Sequence, residues 1–470
     1  MFFAHIRTIL SKKFKASPSK IRYHIIVKTD LYYRFIFGKD MKFMSNLQFV
    51  SVPSVEIPVI RNVDVLVVGA GPAGCAAAIT ASRTGARTLL IDSASVPGGM
   101  TTVGLMSHYT GMVDSKLYEE MLHENALKNQ ECRGTRTVLI DPTQMTLTWI
   151  EMLEKSGAEM LFYTMVSEPI MDGDTLKGVI IQNKSGRFAI LAKVIIDSTG
   201  DGDVAARSGA AYYLGRESDA SMQPATLMFK VGGVDMERAA LPGSFETTVE
   251  TVKGELQTLA KKLLPHPAGH VLLYRSPISG IVTVNMTNAI RIDGTSAESM
   301  TQAEIICRKQ IPAIVSFLQE YVPGFENCYV ISTASMMGIR ETRHFKGLYT
   351  LTEQDILNRT VFEDWVVKGA EFNFDVHNMT GGSLDATGVQ AKFPKDTKYT
   401  IPYRCLIPEK IHGLLLAGRD ISGTHMAHSN YRVMPICVAM GESAGIAAAL
   451  AAQAGVDVRE VDVREIQKRL

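Results

Sequence analysis

Apolar and polar positions along this chain follow two periods, and the changes of period mark its elements. Residues 65–68 are all apolar and mostly β-branched, as in a strand buried on both faces. Gly69-Ala70-Gly71-Pro72-Ala73-Gly74 interrupts that run. Residues 75–82 then read as a small-residue helix, and Thr88–Ile91 is a second apolar run that ends on Asp92. Together they form one βαβ unit. Residues 114–129 are helical by pattern, with Leu117, Met121, Leu122 and Ala126 on one stripe. Pro142–Ser156 is another helix, with apolar Met145, Leu147, Ile150 and Leu153. Strands are expected over 158–166, 176–182, 188–191 and 193–197. The last leads into Ser198-Thr199-Gly200-Asp201-Gly202-Asp203 and a helix over 204–211. This second strand–glycine–helix junction points at the same sheet edge as the first.

The pattern changes over 216–400. Alternation over 226–231 and 280–286 suggests an antiparallel sheet with one covered face. Thr301-Gln302-Ala303-Glu304 has the form of a capping box opening a helix to about Tyr321. Its stripe is Ala303, Ile306, Ile314, Phe317 and Leu318; Pro312 should kink it and Val322-Pro323-Gly324 should stop it. Residues 401–470 return to the first pattern, with an apolar strand at 414–417, then Gly418-Arg419-Asp420, then a long small-residue helix over 432–453. Its small residues permit close approach to another backbone or to a flat ligand. The division is a basic leader (1–43), a dinucleotide-binding domain in two parts (44–215 and 401–470), and an inserted α+β substrate or cap domain (216–400).

Composition narrows the classes. Hydrophobic content of 46% and charged content of 21% are those of a soluble globular protein, and a net charge of +1 argues against a nucleic-acid partner. The charge is uneven: residues 1–43 hold ten Lys/Arg against two Asp, or +8, which leaves −7 on the rest. That leader lacks the apolar core of a secretory signal. It reads first as translated upstream sequence ahead of a start at Met41 or Met44, then as a transit-type leader or a basic anchor. The six cysteines, Cys75, Cys132, Cys307, Cys328, Cys405 and Cys437, form no CxxC pair. This speaks against a metal or iron–sulfur site and for a reducing, cytoplasmic setting. No transmembrane run is expected.

The glycines of the first unit have separate tasks. Gly69 permits the tight turn, Gly71 lets backbone approach a pyrophosphate, and Gly74 lets the helix sit near the sheet. With Pro72 and Ala73 they open a helix whose N-terminus attracts that pyrophosphate. Asp92, eighteen residues past Gly74, is placed to accept from a ribose. The unit alone does not separate NAD from FAD.

Six stretches carry a family resemblance: DVLVVGAGPAGCAAA, the Gly98-Gly99 pair, DSTGDGDVAARSGA, GIRETRHFKGLYTLTEQD, IPYRCLIP and GLLLAGRDISGTHMAHSNYRVM. From about Val63 to Ala451 the chain resembles the FAD-dependent oxidoreductases with two dinucleotide-binding domains, whose FAD-binding fold is like that of glutathione reductase. The resemblance implies a Rossmann-like α/β fold and FAD, since an NAD-only domain has no need of the distal Gly418-Arg419-Asp420 element. It implies that Asp92 takes adenosine ribose hydroxyls, that the Val166 backbone lies near the adenine, and that Gly99, Met100, Thr199 and Gly200 line the cofactor. Asp420 would bond the ribityl or pyrophosphate region, and Arg432, Val433 and Met434 would face the flavin pyrimidine edge.

Catalytic candidates follow from that placement. Arg340, Glu341, Arg343 and His344 fall in one stretch; His425, His428, Tyr431 and Arg432 fall in another beside the expected isoalloxazine. An Arg holds a carboxylate bidentately, and a His takes a proton while hydride passes to the flavin. The four chosen are His425, His428, Arg432 and Arg340, set against structural readings: Arg340 paired with Glu341 or Asp355, and His428 packed beside a helix capped by Ser429 or Asn430. Asp201 and Asp203 suit a turn or cofactor contact, the 23 methionines suit core filling, His108 and Tyr109 suit core or surface, and nothing requires Cys405 to hold flavin covalently. The leading function is hydride or electron transfer between a small organic substrate and FAD, with an unidentified electron acceptor. The alternatives are a flavoprotein serving RNA modification or electron transfer between subunits, and a binding protein without turnover.

Overall fold

A computed structural model describes residues 50, 54–124, 137–389, 393–394 and 396–470. The leader at 1–43, the last five positions of the helix expected over 114–129, and Cys132 lie outside them. Contacts divide the chain into Met1–Glu56 and Ile57–Leu470, and the second unit holds every element named below.

Its first part runs β1 (Val59–Val68), α1 (Pro72–Arg83), β2 (Thr88–Ile91), α2 (Lys116–Glu124), α3 (Pro142–Ser156), β3 (Glu159–Leu161), β4 (Thr164–Asp172), β5 (Thr175–Asn183) and β6 (Gly186–Asp197). The sheet order is β3-β2-β1-β6-β5-β4. β1 is parallel to β2 and to β6, with Val68 opposite both Ile91 and Asp197. The two strand–glycine–helix junctions therefore share one edge, and Ser198 binds them by donating from N to Val68 O and from Oγ to Gly69 O.

Two strand assignments differ from expectation. The runs at 188–191 and 193–197 are one strand, because β6 pairs with β1 along its length; Lys193, which suggested a break, faces outward and pairs with Asp64 at 2.9 Å. The run at 158–166 is two strands. The chain turns at Tyr163, whose φ is +54°, from a parallel partner of β2 into an antiparallel hairpin with β5. In α3 the bounds hold, with Asp141 accepting from Thr143 N and Gln144 N and Gly157 closing the other end. Its buried face is Met145, Thr148, Trp149, Met152 and Leu153, while Leu147 is 49% exposed, because α1 sets which side is covered.

After α4 (Asp203–Arg207), shorter than the expected 204–211, comes an antiparallel sheet. Its strands are β7 (Phe229–Gly232), β8 (Leu273–Arg275), β9 (Val282–Val284) and β10 (Tyr329–Thr333), in the order β8-β9-β7-β10. α5 (Ala297–Tyr321) packs Ile311, Ile314, Phe317 and Leu318 on Phe229, Val231, Val282 and Val284. α5 starts a turn before the supposed capping box. Ser296 is the N-cap, Thr301 Oγ1 donates back to Ala297 O, and Glu304 pairs with Arg308.

The chain then returns to the first core. β11 (Trp365–Glu371) pairs with β12 (Tyr399–Pro402) and with Met112–Asp114, and β13 (Leu414–Leu416) adds in parallel to β6. The helix expected over 432–453 is α7 (Met434–Ala454), and a separate short helix, α6 (His425–Tyr431), precedes it; Val433 is extended between them and Pro435 opens α7. α7 lies against α1: a Cβ on Gly441 would stand 2.0 Å from Ala73 O, and one on Gly445 2.2 Å from Ala77 O. Its small residues thus serve helix-to-helix approach. Among the described residues α7 is long and apolar enough to cross a membrane, and it is buried here.

Candidate active site

At the shared sheet edge the three glycines have different surroundings. Gly69 has φ +97° and a Cβ there would meet Ser198 O at 2.4 Å; a Cβ on Gly74 would strike Gly69 O at 1.7 Å. Among the described residues no heavy atom lies within 4 Å of the Cβ position that Gly71 leaves open. It is also the N-cap of α1, with no side chain capping the helix. The result is an open lane in front of unpaired N–H groups, where an anion is stabilised. Gly99 stands directly across, its Cβ direction 3.0 Å from Gly71 Cα.

Asp92 follows β2 and accepts from Ala70 N at 2.5 Å and Ala94 N at 2.6 Å. A carboxylate has further lone pairs for a ribose hydroxyl. The Val166 carbonyl accepts from Arg207 at 2.7 Å. Thr199 is bonded to Asp197, and the space beside Gly200 is filled by the Arg419 guanidinium, which lies 3.1 Å from Asp201. Asp203 and the Asp201 carbonyl hold Arg343. Asp201 and Asp203 are therefore guanidinium anchors.

Asp420 is fully buried and neither carboxylate oxygen has a hydrogen-bond partner among the described residues. Burial, then the neighbouring Asp197 charge, pushes its pKa well above the ordinary carboxylate range. An orphaned carboxylate at this depth is costly unless a donor reaches it. α7 begins beside it, and its N-cap Val433 also offers no side-chain cap. An open lane at one helix N-terminus, a second uncapped terminus and a buried acceptor between them suit a long ligand with a pyrophosphate and hydroxyls. The residues present therefore fit FAD.

Between this edge and the antiparallel sheet lies a cavity of about 640 Å³, within the usual range for small-molecule sites. Met100, Thr199, Arg419, Val433 and Met434 wall one side; Thr226, Phe245, Tyr274 and Arg340 wall the other. Arg432 reaches it too, donating to Asp375 O at 2.7 Å and Oδ2 at 3.0 Å. Residues the sequence did not single out complete the wall: Tyr274, Asp375 and His377, with His377 Nε2 3.4 Å from Asp375 Oδ2. His108 also lines it, edge-on to Tyr274 at 4.5 Å. Burial lowers both histidines to about 4, with the Arg340 charge adding to the effect on His377. Both are therefore neutral at pH 7. Seven methionines line the cavity, so part of the methionine content serves the site as well as the core.

Of the four catalytic candidates, Arg340 and Arg432 line this cavity and His425 and His428 do not. α6 turns the two histidines away onto a buried network. Glu341 Oε1 takes His344 Nε2 at 2.8 Å and His425 Nδ1 at 2.5 Å, and Oε2 accepts from Gln223 N. His428 packs edge-on to His344 at 5.0 Å. Ligand atoms of Glu341, His344 and His428 lie within 4.8 Å of one another, but Glu341's oxygens are already engaged. Burial would raise the Glu341 pKa; the bonds from the two histidines overcome it and hold the carboxylate well below its ordinary range. Arg340 pairs with neither Glu341 nor Asp355; it donates to Pro224 O and Thr226 Oγ1. Neither Ser429 nor Asn430 caps the final helix: both lie inside α6, which Thr424 caps, and the N-cap of α7 is Val433. Cys405 is fully buried, its thiol pushed upward by burial, and it does not line the cavity. Periodicity carries no signal for His377 or Asp375, which meet the cavity through the tertiary placement of residues 373–377.

A sequence profile of the family described as FAD dependent oxidoreductase matches residues 64–470. Thiamine thiazole synthase of Methanococcus maripaludis (strain C7) is 32% identical over 154 residues, 30% of this chain and 57% of that protein, so the chain spans little over half of that relative. Sarcosine oxidase subunit alpha of Rhizobium meliloti (strain 1021) is 64% identical over 36 residues, 8% of this chain and 4% of that one. Among solved structures, p-nitrophenol 4-monooxygenase of Pseudomonas putida DLL-E4 aligns with a TM-score of 0.48 at 12% identity, covering 87% of this chain and 84% of that one.

Proposed function

This chain belongs to the FAD-dependent oxidoreductases, enzymes that take FAD as cofactor, and from that premise we propose that it transfers hydride between a small organic substrate held in the 640 Å³ cavity and FAD bound along the sheet edge. When bound, FAD supplies the two-electron chemistry, and the protein supplies position, charge and exclusion of water. The observation that carries the reading is Asp420, buried and unpartnered among the described residues, beside two helix termini without side-chain caps, the second of which (Val433, Met434) lines that cavity.

In this reading Gly69, Gly71, Pro72, Ala73 and Gly74 carry the pyrophosphate, and Asp92 and the Val166 backbone carry the adenosine. Thr199, Gly200, Gly418, Arg419 and Asp420 carry the ribityl segment. Gly99, Met100, Val433 and Met434 border the flavin ring. Arg432 and Arg340 orient the substrate. His377 takes the substrate's proton: it is neutral at pH 7, lines the cavity, and has Asp375 at 3.4 Å to answer the charge it gains. His425 braces the Arg340 loop from behind through Glu341, and His428 packs on His344 in the same network.

An absorbance spectrum of the purified protein, before and after acid precipitation, tests the reading. Visible flavin bands released to the supernatant, and bleached anaerobically by a substrate, are the expected result. A colourless protein that also refuses added FAD overturns it.

A further inference from the structure

The cavity wall carries a charge that its own carboxylates do not answer. Three guanidiniums line it. Arg419 sits 3.1 Å from Asp201 and Arg432 sits 3.0 Å from Asp375. Arg340 has no carboxylate within ion-pair distance among the described residues. It is nevertheless fixed: Nη1 donates to Pro224 O at 2.7 Å and Thr226 Oγ1 at 2.8 Å. Thr226 is itself bonded to Thr287 O and held against Gly338, so the anchor does not swing. The other edge of the fork, Nε and Nη2, has no partner among the described residues.

Burial, then the Arg432 charge, lowers Arg340 to about 10, which leaves it cationic at pH 7. The Asp375 charge opposes this shift but is shared with Arg432 and lies beyond ion-pair distance of Arg340, and a buried cation with no carboxylate in contact is unfavourable until an anion reaches it. Around it the wall is largely apolar, with Met228, Met336, Met337 and Phe245, and its two histidines are neutral.

We propose that Arg340 is an anion-recognition subsite and that the substrate is a monocarboxylate carried on an apolar body. This rests on the cavity being the substrate site of a flavoenzyme. The free Nε/Nη2 edge presents two parallel N–H donors, the spacing that a carboxylate accepts bidentately. The methionines supply adaptable contact for the body. A dianion would find one unpaired cation in this wall among the described residues, which favours the single charge.

The test uses the FAD-loaded enzyme, its FAD content first established from the spectrum. 4-Phenylbutanoate, its primary amide and phenyl phosphate are titrated in turn, read by perturbation of the flavin absorption and independently by calorimetry. The acid should bind roughly 10–100-fold more tightly than the amide. Arg340→Gln should remove that preference and leave the amide's affinity in place, and Arg340→Lys should restore part of it. Retained FAD in both variants reports that they fold. Equal binding of acid and amide, binding of neither, a preference that survives Arg340→Gln, or tighter binding of the phosphate overturns the proposal. A protein that holds no FAD instead fails the functional reading, and calorimetry on that protein still decides between acid and amide.

Discussion

Two buried carboxylates stand in opposite electrostatic situations in this site. Glu341 accepts from His344, His425 and the Gln223 N–H, and its pKa lies below the ordinary range. A depressed carboxylate contributes stability that is present above its unfolded pKa of about 4.3 and lost as pH falls through the folded value. Glu341→Gln should therefore cost about 3–5 kcal/mol near pH 7, and the gap in melting temperature from wild type should close as pH falls below about 4. Asp420 has the reverse sign: burial raises it, so its charge destabilises the FAD-free protein as pH rises above the unfolded value. Asp420→Asn should leave the FAD-free protein at least as stable at pH 7 and weaken FAD binding by about tenfold or more, measured by melting curves and FAD titration. For His377→Gln the expected result is retained FAD with substrate-driven flavin reduction slowed about 10²–10⁴-fold in stopped flow. Of these residues, Asp420 was legible, because it follows a strand and a glycine in a recognisable string. His377 was not, since nothing local distinguishes it.

Among the elements, α3 and α7 separate what local pattern decides from what packing decides. The ends of α3 matched expectation because Asp141, Pro142 and Gly157 act on their own backbone within a turn. Its face did not, because which of Leu147 and Trp149 is covered depends on α1. Trp149→Ala should lose about 3–5 kcal/mol of stability, whereas Leu147→Ser should stay within about 0.5 kcal/mol in denaturant titrations. For α7 the small residues were visible, but the choice between a helix and a flat ligand as their partner was made by α1. Gly441→Leu forces side-chain atoms onto the Ala73 carbonyl and moves both helix N-termini that face the site. It should cost at least about 1–3 kcal/mol and release FAD from a protein whose circular dichroism stays native.

Over the whole molecule, the proposed cofactor contacts come from 69–74, 92, 99–100, 166, 199–200, 418–420 and 433–434, so FAD would tie the start of the described fold to its end. Binding should then raise the melting temperature in proportion to the logarithm of FAD concentration. The gain is about 2.7 kcal/mol at a hundredfold excess over Kd. Gly71→Val, whose side chain enters the open lane, should show neither the rise nor a yellow colour.

What this sequence determined by itself is local: the glycine spacing, the apolar runs on either side of it, the ends of α3, and hence the dinucleotide-binding architecture and FAD. Those signals act within a few residues, where chain geometry alone sets the outcome. Which helix face is covered, that α6 turns His425 and His428 onto Glu341, and that Arg340, Asp375 and His377 meet across one cavity were decided only by the tertiary structure. Each depends on contacts between segments tens to hundreds of positions apart. No periodicity encodes such a contact until the sheet has brought them together.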